Sequence, residues 1–207
     1  MTEPLLFRIL FAALLIGFVA HRAYYTRKYP ARETETLTRL SNSASSKVAN
    51  ILALLALISS VVYIIAPSYV AWASIPLPPF ARWLGAGIAL TGFLLLESSH
   101  RALASNWSDQ PRIMQSQQFI RTGPYKRIRH PIYTSFLMIL GSSLLITSNW
   151  LVGLLWIASV GLDISNRIRF EERALQEQFG QEYSAYKATT GSLFPRFYVP
   201  SRGVRSS

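Results

Sequence analysis

Residues 48–66 read VANILALLALISSVVYIIA, a run without a single charged side chain. A helix needs roughly 20 mostly apolar residues to cross a bilayer, or about 17 at the short end. This run is therefore long enough to span a membrane, and it predicts an integral membrane protein. The composition agrees: half of the 207 residues are hydrophobic and only 15% are charged, whereas a soluble domain carries about a quarter charged residues.

Four further apolar blocks occupy residues 5–20, 80–96, 131–146 and 150–164. The first block is followed by His21 and Arg22 and lacks a small-residue cleavage site, which favours a retained helix over a signal peptide. The connection at residues 147–149 is so short that the last two blocks must form an antiparallel hairpin. The expected fold is therefore an all-α integral membrane bundle of about five transmembrane helices.

The net charge of +11 comes from Lys and Arg residues that are concentrated in three segments. Residues 22–47 hold six, residues 101–129 hold six and residues 167–205 hold seven. With five helices, all three segments lie on one side of the membrane, and the positive-inside rule makes that side cytoplasmic. We expect the N-terminus outside and the C-terminus inside. Topology thus accounts for the charge without nucleic acid as a partner.

The C-terminal basic segment keeps a helical pattern after residue 164. Apolar residues recur there at three-to-four spacing with charges between them, which predicts a cytosolic amphipathic helix. A weak break is expected at Gly180, and Gly191 and Pro195 are expected to end the helix.

Several kinds of site are excluded by residue usage. The chain has no cysteine and three histidines, so it has no disulfide framework, no Cys-ligated zinc and no thiol nucleophile, and we expect no metal. The sequence also lacks the G-x-G-x-x-G, P-loop, H-E-x-x-H and G-x-S-x-G motifs of soluble enzymes.

Residues 121–133, RTGPYKRIRHPIY, form the most unusual polar stretch. Pro131 is expected to start the fourth helix, so His130 lies just outside a helix N-terminus, where backbone N–H groups attract anions. The alternative is a basic membrane anchor with Tyr125 and Tyr133 as interfacial aromatics. Anchoring does not require an imidazole, so His130 favours a functional site.

A second polar group lies where the fifth helix leaves the membrane. Asp163, Arg167 and Glu171 are spaced four residues apart and share one helix face, so they form either a ladder of ion pairs or a site that holds a carboxylate. Polar residues at this depth usually face the bundle interior.

Glu97 and His100 lie on one face at the end of the third helix. They are a further, weaker candidate for a functional site.

The stretch GPYKRIRHPIY, the short hairpin, the pair Glu171-Glu172 and the later string FGQEYSAY together resemble the isoprenylcysteine carboxyl methyltransferase family. This family is related to membrane phospholipid N-methyltransferases. The resemblance covers roughly residues 95–198. Its members use S-adenosylmethionine without a Rossmann domain, which is consistent with the absent glycine motif.

We expect the chain to have two parts, of which the resemblance covers mainly the second. Residues 1–99 would hold the first three helices and the basic cytosolic loop 21–47. Residues 100–207 would form the catalytic half, with a cofactor-binding segment, a helical hairpin over residues 131–166 and the C-terminal amphipathic helix.

The resemblance also implies roles for individual residues. Arg167 and Glu171 would be catalytic and, with Glu172, would bind the substrate. The residues implied for binding S-adenosylmethionine are Gln110, Gln117, Gln118, Phe119, Ile120, Tyr125, His130, Pro131, Ile132 and Tyr133. Gln117-Gln118 departs from the His-Thr-type pair that eukaryotic members often have.

The implied function is a membrane-embedded methyltransferase with its active site on the cytoplasmic face. It would O-methylate the carboxylate of an isoprenylcysteine or a similar lipidic or prenylated acceptor that arrives through the lipid bilayer. One alternative is N-methylation of a phospholipid amine, for which Glu171 or Glu172 would act as a base. Another is a non-catalytic transporter or assembly protein, although transport sites usually lie at the bilayer midplane.

Overall fold

The computed structural model describes residues 3–29, 43–103 and 119–196. In chain order the elements are α1 (Glu3–Lys28), α2 (Ala44–Ile65), a 3₁₀ helix (Pro67–Ala73), α3 (Pro79–Leu103), a second 3₁₀ helix (Gly123–Lys126), α4 (Pro131–Gly141), α5 (Ser143–Thr147) and α6 (Trp150–Thr189). Across these described ranges, β-structure is limited to two isolated bridges. The predicted all-α fold is confirmed.

Four of these helices are long and apolar enough to cross a membrane, namely Pro4–Lys28, Ala44–Ile65, Pro79–Leu103 and Trp150–Thr189. The predicted fourth span is the shorter apolar stretch Pro131–Thr147, which α4 and α5 build together. The structure therefore supports an integral membrane bundle in which the four candidate spans and the shorter stretch of α4 and α5 follow the order of the five predicted apolar blocks.

Helix α6 is the longest element, with 40 residues. The 30 residues before Gly180 alone measure about 45 Å at 1.5 Å per residue, roughly one and a half times the thickness of a bilayer's hydrocarbon core. Its second half must therefore extend beyond the membrane, as the amphipathic pattern predicts. Asn149 caps its start by accepting a hydrogen bond from the Val152 N–H at 3.2 Å. Gly180 has a φ of +49° and interrupts the helical backbone, a stronger break than expected.

One end of the bundle joins the loop after α2 to the turn after α5. The Asn149 side-chain amide donates to the Val70 carbonyl at 2.8 Å, and Arg82 donates to the Ile146 carbonyl at 2.9 Å. Exposed aromatic side chains such as Trp72 lie at this end, as is typical of a membrane–water interface.

The opposite end brings together the helix ends next to the three basic segments. Ser45 at the start of α2 donates to Asn166 of α6 at 3.1 Å, and His21 near the end of α1 lies 3.0 Å from Glu97 of α3. The described parts of the basic segments thus share one end. The division into residues 1–99 and 100–207 stays a prediction.

Two glycines allow neighbouring helices to approach closely. A Cβ atom at Gly92 of α3 would come within 2.8 Å of Ile139, and one at Gly153 of α6 within 2.4 Å of Leu144. Small residues at such crossings let helix backbones pack directly against each other in membranes. This packing sets the start of α4 beside the middle of α6, where the candidate site lies.

Candidate active site

The segment before α4 is docked on the second half of α6. The Tyr186 hydroxyl donates to the Tyr125 carbonyl at 2.6 Å, and the Phe119 ring stacks on Phe179 with 5.1 Å between ring centroids. Arg121 forms an ion pair with Glu182. These contacts hold the loop that bears His130 against the helix that bears the predicted acidic residues.

The chain after α6 returns along the same loop and fixes its backbone. The Arg129 N–H donates to the Gly191 carbonyl at 2.8 Å, and the His130 N–H donates to the Ser192 carbonyl at 3.0 Å. His130 is the N-cap residue of α4, and Pro131 is the first residue of that helix. Backbone bonds on one side and the helix on the other therefore determine where the His130 ring points.

Glu172 is the centre of a network of charges between this loop and α6. Its Oε1 atom lies 2.8 Å from Arg129 Nη2 and 3.3 Å from His130 Nε2, while its Oε2 atom lies 2.7 Å from Lys187 Nζ. The Glu172 side chain is 13% exposed and that of Arg129 10%. A largely buried carboxylate is tolerated when it is paired and hydrogen-bonded in this way.

Glu171 turns toward α4. It accepts a hydrogen bond from the Tyr133 hydroxyl, and its Oε2 atom lies 3.6 Å from His130 Nδ1. The His130 and Tyr133 rings are stacked, with 5.7 Å between centroids. Both nitrogens of the His130 ring therefore face a carboxylate, one from Glu171 and one from Glu172.

This environment changes the pKa of His130. Burial alone lowers the pKa, but the hydrogen bonds and the negative charges of Glu171 and Glu172 outweigh burial, so the pKa is raised above the ordinary value. Nearby carboxylates favour the charged imidazolium in this way. Burial also raises the pKa of Tyr125 well above its ordinary value, which keeps that phenol neutral.

Arg167 lies one helical turn before Glu171 on α6. Its Nε atom donates to Asp163 Oδ2 at 2.8 Å, and its side chain is 31% exposed. The first rung of the predicted ladder, Asp163 to Arg167, is therefore present. Glu171, the next residue in the series, reaches across to α4, so the series also contributes to a cluster between helices.

The structure brings four of the predicted residues, His130, Tyr133, Glu171 and Glu172, into direct contact, with Arg167 one turn away. Other predicted cofactor residues have packing contacts: Phe119 stacks on α6, Tyr125 and Pro131 are buried, and Ile132 packs against the hydrophobic core. Ile120 is half-buried. Gln110, Gln117 and Gln118 lie outside the described residues. All of these roles stay predictions.

Two charged residues of the cluster were not predicted as site residues. Arg129 bonds to Glu172 with two of its nitrogens and also donates to the Thr190 carbonyl. The feature of the sequence that could have identified Arg129 was its position next to His130. Lys187 lies after the break at Gly180 and forms an ion pair with Glu172.

A cleft of about 400 Å³ opens beside Glu172 and Lys187. It is lined by Arg169, Glu172, Arg173, Gln176, Glu177 and Lys187.

Comparison with known proteins finds a matching family model and a similar solved structure. The sequence model of the isoprenylcysteine carboxyl methyltransferase (ICMT) family matches residues 84–177. The structure of the eukaryotic intramembrane Ras methyltransferase ICMT, solved without a monobody, is similar with a TM-score of 0.55 and 16% sequence identity, over 90% of this chain and 67% of that one. At this identity the structural likeness shows the fold alone.

Among curated proteins, none matches the sequence. The matched segment runs from α3 into α6 and contains His130, Tyr133, Arg167, Glu171 and Glu172. It starts and ends earlier than residues 95–198, which carried the resemblance in the sequence. The predicted resemblance to the isoprenylcysteine carboxyl methyltransferase family is thus confirmed over residues 84–177, the segment that the family model matches.

Proposed function

We propose that this protein is an S-adenosylmethionine-dependent methyltransferase that O-methylates the carboxylate of an isoprenylcysteine or a similar lipidic acceptor. The family match supports a membrane methyltransferase. The observation that carries the proposal for the site is the contact of His130 and Tyr133 with Glu171 and Glu172. These residues lie within the family-matched segment, at the end of the bundle where the basic segments meet.

The charged groups in the cluster fit the amino-acid part of S-adenosylmethionine. That cofactor carries an ammonium group, which carboxylates such as Glu171 attract, and a carboxylate, which cations such as Lys187 attract. Both side chains are partly exposed, at 26% and 49%. His130 and Tyr133 would bind the cofactor and would not transfer protons. Bound there, the cofactor supplies an activated methyl group.

The acceptor side of the proposal rests on Arg167. A carboxylic acid is ionised at neutral pH, because its ordinary pKa is about 4, so the acceptor needs no general base. Arg167 attracts and orients this carboxylate, while Asp163 holds the guanidinium group at 2.8 Å. Transfer forms a carbon–oxygen bond as a carbon–sulfur bond breaks, and the protein accelerates it by holding the reacting atoms in line.

We further propose that the site faces the cytoplasm, with the N-terminus outside and the C-terminus inside. The described parts of the basic segments lie at the same end of the bundle as His130, which supports this orientation through the positive-inside rule. The cofactor then arrives from the cytosol and the acceptor from the bilayer.

The test is the variant Arg167→Ala in proteoliposomes, with Arg127→Ala as the control. Arg127 is exposed and lies on the same basic edge, so its removal changes net charge equally. We expect Arg167→Ala to abolish transfer to a prenylcysteine acceptor while titration calorimetry still detects cofactor binding. Near-normal transfer by Arg167→Ala would refute the role of this residue.

Methylation of a phospholipid amine is the second candidate, and Glu171 is the observation in its favour. An amine must lose a proton before it can accept a methyl group, so it needs a base. Glu172 is bound by three cationic partners, whereas Glu171 is 26% exposed. The variant Glu171→Gln separates the two reactions: a strongly pH-dependent loss of activity favours the amine acceptor.

Failure of the wild-type protein to bind S-adenosylmethionine favours a non-catalytic role.

A further inference from the structure

A second polar cluster lies at the same end of the bundle, between α1 and α3. Glu97 of α3 is contacted by His21 Nε2 at 3.0 Å and by the Tyr25 hydroxyl at 3.1 Å, both from α1. Arg101, one turn further along α3, donates to the other oxygen of Glu97 at 2.6 Å. An ionised carboxylate only accepts hydrogen bonds, so the proton of His21 is on Nε2. We call these four residues the Glu97 clamp.

Aromatic rings reinforce the clamp from its buried side. The His100 ring is 1% exposed and lies 4.2 Å from the Tyr25 ring and 5.1 Å from the His21 ring, between centroids. Its Nδ1 atom lies 2.9 Å from the Leu96 carbonyl, one turn back on α3. Helix α1 is therefore joined to α3 by both hydrogen bonds and ring contacts.

The clamp is connected to the candidate site through α4. Phe18 and Arg22 of α1 both contact Phe136, with 5.2 Å between the two rings and 5.3 Å from the guanidinium carbon to the ring centroid. Phe136 lies three residues after Tyr133, so the two share a face of α4. Because Tyr133 also interacts electrostatically with Arg167, this face of α4 connects α1 to the proposed acceptor residue.

The outward face of α1 is apolar and exposed. Ile16 is 69% exposed and Val19 is 63% exposed, so this helix forms part of the lipid-facing margin of the bundle. An acceptor that arrives through the bilayer with an apolar chain must pass such a margin to reach Arg167. Phe18 and Phe136 are the rings that α1 and α4 present to each other along this margin.

We propose that the Glu97 clamp holds α1 as the lipid-side wall of the acceptor site, so that His21 and Glu97 are positioning residues for the acceptor. This proposal rests on the proposed function. It goes beyond the family match, which begins at residue 84 and does not include α1. Recognition of the acceptor's apolar part then depends on a helix outside the matched segment.

The kinetic test uses His21→Ala and His21→Gln, with Ser60→Ala as the control. Glutamine keeps a side-chain N–H that can reach Glu97. Ser60→Ala removes a different interhelical bond, the one at 3.0 Å from Trp156 of α6. We expect His21→Ala to raise the acceptor KM about tenfold, which corresponds to a loss of about 1.4 kcal/mol of binding free energy. The cofactor KM and kcat stay unchanged, and His21→Gln restores the acceptor KM.

An unchanged acceptor KM, or an equal rise in both KM values, would overturn the proposal. A purely structural role would lower the melting temperature and leave the two KM values in the same ratio. Ser60→Ala is expected to change neither KM.

A distance measurement tests the clamp without any activity assay. The chain has no native cysteine, so spin labels can be attached at Ile16→Cys and Leu94→Cys, both of which are exposed positions. We expect a narrow distance distribution that broadens with His21→Ala and narrows again with His21→Gln. An unchanged distribution refutes the clamp. If the distances respond as expected but wild-type protein methylates no acceptor, the proposed function is what fails.

Discussion

Replacement of Glu172 by glutamine tests the charge network at the candidate site. Glu172 holds together the loop before α4, through Arg129 and His130, and the end of α6, through Lys187. The variant keeps the size of the side chain but removes its charge, which leaves the largely buried guanidinium of Arg129 without an ionic partner. Loss of one member of a buried ion pair costs about 3–5 kcal/mol.

Glutamine retains one oxygen that can accept a hydrogen bond, so we take the lower limit, about 3 kcal/mol. In a domain of this length each kcal/mol lowers the melting temperature by about 2–4 °C. Glu172→Gln should therefore melt about 6–12 °C below the wild type in the same detergent or nanodisc. Circular dichroism at 222 nm during heating provides the measurement.

Glu182→Gln is the matched control for this prediction. Glu182 pairs with Arg121, and both side chains are about half exposed. Exposed ion pairs contribute about 0.2–1 kcal/mol, so this variant should melt within about 4 °C of the wild type. Equal melting temperatures for Glu172→Gln and Glu182→Gln would show that the network around Glu172 does not stabilise the fold, and would refute the reasoning.

Two further predictions concern pH and helix packing. The pKa of His130 is raised in the folded protein, so its stabilising contribution is complete below its ordinary pKa of about 6.5 and is lost as the pH rises through the raised value. The melting temperature should fall over that range in the wild type but much less in His130→Gln, and parallel pH curves would contradict this. Gly153→Ala places a Cβ 2.4 Å from Leu144 and should cost about 1–3 kcal/mol. Gly161→Ala, with nothing within 4 Å of its Cβ, should not destabilise in the same melting assay, and equal losses would contradict the packing argument.

The helices could be predicted from sequence because membrane spans are determined by local composition. The apolar run at residues 48–66 and the apolar block that begins at residue 150 are both local signals, and α2 and α6 follow them closely. Gly180 was predicted only as a weak break. Its positive φ is a backbone property that glycine permits but does not require, so sequence alone did not reveal it.

The candidate site could be predicted only in part, for a different reason. His130 and Glu171 have local signals, a helix N-terminus and a four-residue spacing. The bond from Arg129 to Glu172 joins residues 43 positions apart, and the strap formed by residues 191–192 is joined to residues 129–130 by backbone hydrogen bonds. Backbone bonds have no side-chain signature, so this strap has no pattern in the sequence.

The most direct test of the central proposal is formation of a methyl ester. Purified protein in proteoliposomes is incubated with methyl-labelled S-adenosylmethionine and a farnesylcysteine analogue, and the lipid products are treated with base. The proposed function predicts a labelled ester that base hydrolyses to labelled methanol, and its absence with Arg167→Ala. Label that survives base treatment on a phospholipid amine, or no transfer by wild-type protein that binds the cofactor, would contradict it.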